Sequence, residues 1–75
     1  MVRQNEIVKG ATYSNGKQGR FHSERKVLDL GEYLLYPGQT NTDCVRYEIT
    51  AGYGQGERRN MTRAAFASWA RERVS

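Results

Sequence analysis

Cys44-Val45-Arg46-Tyr47-Glu48-Ile49-Thr50 alternates apolar and polar side chains without a break. Val45, Tyr47 and Ile49 fall on one face, and Cys44, Arg46, Glu48 and Thr50 on the other. A period of two with one apolar face predicts a half-buried strand.

Shorter strand signals flank this stretch. Ile7 to Tyr13 reads as a first strand, closed by the turn dipeptide Asn15-Gly16. Residues 17 to 23 read as an irregular loop. Arg25 to Leu30 reads as a second strand. Its apolar residues Val27, Leu28 and Leu30 do not alternate cleanly, which suits a strand that bends at a bulge. Gly31-Glu32 then suggests a reversal into a third strand, Tyr33 to Tyr36, ended by Pro37-Gly38. Residues 38 to 43 hold no apolar side chain and read as an exposed loop. Gly52-Tyr53-Gly54-Gln55-Gly56 predicts a hairpin loop leading to a short strand over Glu57 to Met61. It lacks the Lys-Ser/Thr of a P-loop, and no helix signal follows it directly.

The period then changes. Residues 62 to 74 are Ala-rich and predict a helix with Thr62 as its N-cap. Phe66, Trp69 and Ala70 make one apolar stripe, and Arg71 and Arg73 suit the negative C-terminal end of the helix dipole. The expected fold is mostly β: a small SH3-like barrel of four to five antiparallel strands with a C-terminal α-helix, in a single domain over 1–75. An open sheet covered by the helix is the alternative.

Composition bounds the function. The chain has 75 residues, twelve Lys and Arg against eight Asp and Glu, and a net charge of +4. No run of about 18 apolar residues predicts a membrane span, and the first residues form no signal peptide. The single cysteine, Cys44, makes no internal disulfide, and no Cys/His cluster offers zinc ligands. These features lead us to expect a cytoplasmic protein without cofactor or metal. His22 has no oriented partner that spacing can name, and Cys44 reads as a packing residue, so no enzyme is expected.

Charge is uneven along the chain. Residues 1–26 and 58–75 each carry a net +4, and residues 27–57 carry −4. If the first and last strands are neighbours, Lys17, Arg20, Arg25 and Lys26 approach Arg58, Arg59 and Arg63 as one basic patch. Tyr53, between flexible glycines, supplies a stacking group. About four cations on phosphates give a salt slope near −3 to −4. No helix-turn-helix or zinc-finger pattern is present. Asp29, Glu32, Asp43 and Glu48 gather the acidic charge of the middle.

Gly10-Ala11-Thr12-Tyr13-Ser14-Asn15-Gly16-Lys17, the run Arg25 to Gly31, the Tyr-ended strand at 33–36 and the run Met61 to Ala70 together resemble small SH3-like barrel proteins of bacteriophages and prophages. The resemblance spans roughly residues 7 to 72 and rests on structural motifs. It implies a bacterial host cell and a binding role. With the two basic ends, the expected partner is nucleic acid or a nucleic-acid-binding host protein complex. The alternative is a protein–protein inhibitor or adaptor of host machinery, in the manner of anti-CRISPR proteins. An oligomeric phage component, built by pairing edge strands, is a third reading.

Overall fold

The computed structural model describes residues 2–75. Five strands form one antiparallel sheet: β1 Thr12–Ser14, β2 Glu24–Tyr36, β3 Gln39–Ala51, β4 Arg58–Thr62 and β5 Glu72–Arg73. One helix, α1 Arg63–Trp69, lies between β4 and β5. The strand order is β4-β3-β2-β1-β5, so β4 and β5 are the two edges and the sheet is not closed on itself. Among the expected architectures, the open sheet with a covering helix describes it.

The hairpin β2–β3 dominates the molecule. Each strand has 13 residues, and Pro37-Gly38 turns between them. The reversal expected at Gly31-Glu32 is instead one of several register shifts inside β2, where Gly31 adopts φ +150. The extra residue of a bulge bends a strand without ending it. The uneven pattern of Val27, Leu28 and Leu30 has the same origin, since the register shifts between Val27 and Asp29. The segment 39–43, expected as a loop, is the outer half of β3. It pairs with Tyr33–Tyr36 beyond the edge of the core, so neither face requires apolar residues.

The alternation in β3 does what it predicts. Val45, Tyr47 and Ile49 are buried and join Val27, Tyr13, Ile7 and Phe66 in the core. Cys44 is buried as well, its thiol 3.4 Å from the Asn41 carbonyl oxygen. Tyr13, at the end of the expected first strand, is fully buried. Its hydroxyl donates to the Glu6 carbonyl (2.8 Å) and accepts from Val8 N–H (3.0 Å). These bonds tie the 3-10 turn Gln4–Glu6 and the following chain to the sheet, and β1 is correspondingly shorter than the expected Ile7–Tyr13.

Thr62 caps α1, its Oγ1 accepting from Ala65 N–H at 3.1 Å. The helix is shorter than the expected 62–74. Ala70 is extended and fully buried. Beyond it the backbone bonds to the free edge of β1: Arg71 N–H to Ser14 O (2.8 Å) and Val74 N–H to Thr12 O (2.9 Å). An unpaired strand edge offers a full ladder of backbone partners, and here it outcompetes the modest helix propensity of Arg71 to Val74. Arg71 and Arg73 therefore do not sit at a helix end.

Candidate functional site

The Glu24↔Ala51 pairing sets the geometry of one end of the sheet. The loop entering β2, residues 15–23, and the loop leaving β3, residues 52–57, emerge there side by side. Gly52 lies flat against the first loop at φ +97. A Cβ at this position would fall well inside van der Waals contact with the His22 carbonyl oxygen and 3.1 Å from Ser23 Cα. On its other side the first loop touches the C-terminal segment, since a Cβ on Gly16 would lie 2.9 Å from Arg71 Cβ.

Asn15 organises the first loop from within. Its Nδ2 donates to Phe21 O (2.8 Å), and its Oδ1 accepts from Lys17 N–H and Ser23 N–H (both 3.2 Å). A short 3-10 turn over Gly19–Phe21 follows from this bracing and pushes Phe21 outward. Phe21 is 63% exposed, with the Arg20 guanidinium 5.1 Å over its ring. In the second loop Tyr53 is 95% exposed. Hydrogen bonds from Gln55 N–H to Gly52 O (3.2 Å) and from Gly56 N–H to Ile49 O (2.8 Å) close that loop beneath it. Two exposed rings, Phe21 with Arg20 over it and Tyr53, thus stand at one end of the sheet.

The eight residues expected to form one patch divide into groups. Lys17, Arg20 and Tyr53 lie at the loop end, and among the described residues Lys17 and Arg20 make no ion pair. Lys26 and Arg58 share the outer face of the sheet with Glu48 between them, and Arg58 pairs with Glu48 at 3.0 Å. Arg59 pairs with Glu57 beside the second loop. Arg63, at the start of α1, sits 2.9 Å from Asp43, off the line of a hydrogen bond. Arg25 is half-buried, its guanidinium 4.1 Å from the Trp69 ring centroid and 4.7 Å from that of Tyr47. Burial, reinforced by nearby Arg59, holds the Arg25 pKa below its ordinary value. The patch required the first expected strand to neighbour the last, Glu57–Met61. That last strand is β4 on the edge of the sheet, with β3 and β2 between it and β1, so Arg58 and Arg59 are kept apart from β1.

The acidic residues are dispersed too. Asp29 accepts from Tyr33 OH and lies 3.8 Å from Lys9, and Asp43 and Glu48 are paired as described. The Tyr33 hydroxyl, the Leu30 backbone and Lys9 hold the Asp29 carboxyl below its ordinary pKa.

Two residues at the loop end were not singled out by sequence. Phe21 is a lone aromatic in a polar, aperiodic segment, and that isolation beside Arg20 is the only signal it gives. Arg71 looks like a helix-end cation until Gly16 places it against the loop.

His22 has the partner that spacing does not name. Its Nε2 is 2.7 Å from Glu24 Oε2, and its Nδ1 is 3.0 Å from Lys17 O. Both partners only accept, so both ring nitrogens must donate, and that is the imidazolium form. The Glu24 hydrogen bond, then the Lys17 carbonyl, raise the His22 pKa above its ordinary 6.5. A raised folded-state value gives stability that is fully present below 6.5 and is lost as pH rises through the folded pKa. An NMR titration of the ring should give a midpoint above 6.5 that returns toward it in Glu24→Gln. A wild-type midpoint at or below the ordinary value contradicts the clamp. Cys44 lies seven residues from Ala51 along β3, well away from His22, so the two form no nucleophile–base pair.

Among the described residues no three His, Cys, Asp or Glu side chains group as metal ligands, and no helix is long and apolar enough to cross a membrane. No protein-family model, curated protein or solved structure matches the chain.

Proposed function

We propose that the chain is a non-enzymatic binding module of phage or prophage type, acting in the bacterial cytoplasm, that contacts nucleic acid or a nucleoprotein through its loop end. One observation carries this reading: Tyr53 and Phe21 are exposed at the same end of the sheet as the unpaired cations Lys17 and Arg20. Aromatic faces flanked by cations match the two parts of a nucleotide, base and phosphate. The SH3-like description is supported by the β1–β4 meander, bent at its bulges, and by the return of β5 to the free edge of β1.

The dispersal of the other arginines lowers the charge engaged. With two or three cations on phosphates, log K against log salt should slope at about −1.4 to −2.1 on single strands and −1.8 to −2.7 on duplex. Fluorescence anisotropy of labelled DNA and RNA at two salt concentrations reads this slope. Lys17→Ala with Arg20→Ala should weaken binding and flatten it. No saturable binding at low salt overturns the reading.

A second reading, an inhibitor or adaptor of a host protein, draws on the opposite end. There Leu34 and Tyr36 are 52% and 64% exposed beside the Pro37-Gly38 turn. Saturable capture of a host protein, abolished by Leu34→Ser with Tyr36→Ser and untouched by changes at Tyr53, would favour it.

A further inference from the structure

Building on the loop-end reading, we infer that the nucleic acid this surface takes is single-stranded, with unpaired bases stacked on Tyr53 and Phe21. In a duplex the base faces are covered by their neighbours, and the major groove, where sequence is read, admits a helix or a two-stranded ribbon. Neither device is available here with the right charge. The helix α1 spans seven residues and turns Phe66 and Ala67 into the core. The projecting ribbon is the tip of the β2–β3 hairpin, residues 33–43, which contains no Lys or Arg and ends in Asp43. It cannot neutralise the phosphates that line a groove.

The loop end has the opposite character. Both rings are open to solvent, on loops fixed by Asn15 and by the contact of Gly52 with His22. Flipped-out bases stack on such faces whatever their identity. Arg20, already over the Phe21 ring, stands where a phosphate next to a stacked base would pass. The acids at this end are engaged: Glu24 with His22, Glu57 with Arg59, and Glu72 with the Ser14 hydroxyl at 3.1 Å.

The test compares labelled oligothymidylate with a duplex of equal length. The wild-type protein should bind the single strand more tightly. Tyr53→Ala and Phe21→Ala should each weaken single-strand binding by about five- to 150-fold. They should leave the salt slope unchanged, because neither removes a cation. Both side chains are exposed, so the variants should melt like wild type. Equal or tighter duplex binding, or full single-strand affinity in both variants, overturns this inference and leaves a charge-driven nucleic-acid binder standing. Binding to neither probe at low salt removes the loop-end reading itself.

Discussion

Replacing Phe66 with alanine is expected to remove a large share of the stability of this domain. Among the described residues, Phe66 is the one side chain that packs against three other aromatic rings. Tyr13, Tyr47 and Trp69 surround it at centroid distances of 5.6, 5.7 and 5.5 Å, and it is fully buried. It joins α1 to β1 and β3. A buried Phe→Ala change costs about 3–5 kcal/mol. A domain of 75 residues holds about 4–11 kcal/mol in all. The melting midpoint should fall by roughly 12–40 °C, and thermal unfolding followed by far-UV circular dichroism reads it. A midpoint within a few degrees of wild type contradicts the docking of α1 on the sheet. Ser68→Ala, on the exposed side of the same helix, is the control and should change little.

The second large effect is expected at Gly52. Substitution by alanine meets two penalties. The backbone is at φ +97, where an L side chain is strained, and the new Cβ drives into the His22 carbonyl. Together these should cost at least about 2 kcal/mol. Gly10→Ala separates them, because Gly10 has φ +90 but nothing within 4 Å of its Cβ position. It should lose only the conformational part. Gly52→Ala should also weaken nucleic-acid binding beyond what Gly10→Ala does, since moving the second loop off the first separates Tyr53 from Phe21. Chemical denaturation and anisotropy on the same two variants read both effects. Equal behaviour of the two contradicts the close packing of the loops.

Local patterns in the sequence mark the part of the fold that has a core beneath it. Val45, Tyr47 and Ile49 alternate because one face of β3 packs on Phe66 and Tyr13. Residues 39–43 carry no such pattern because their half of the hairpin projects past the core, where backbone pairing alone holds it. Gly31-Glu32 looks the same in sequence whether the chain reverses or bulges. The choice is made by pairing with the 13-residue strand that follows the Pro37-Gly38 turn, where Gly31 meets Cys44, and the dipeptide itself carries no sign of that partner. The end of α1 is illegible for a similar reason: residues 71–74 carry helix propensity, and the edge of β1 that captures them is some sixty residues earlier.

The same limit applies to the site. Tyr53 is visible in sequence as an aromatic between glycines, a pattern consistent with exposure or with folding back. The basic patch rests on an assumed adjacency of strands. That adjacency fails, because the strand carrying Arg58 and Arg59 is β4, separated from β1 by β3 and β2, and the neighbour of β1 is instead β5, formed by residues expected in the helix. Arg25 reads as a surface cation and is instead held between two rings, because its position on β2 pairs it with Tyr13 and Ile49 on the core face.

The loop end as the nucleic-acid surface is tested most directly by a residue-resolved titration. Uniformly 15N-labelled protein is titrated with oligothymidylate at low salt, and amide shifts are followed by NMR. Shifts concentrated in residues 16–23 and 52–57, saturating with added strand, are the expected result. Shifts centred on residues 33–39 at the hairpin tip, or none at any residue, would contradict it.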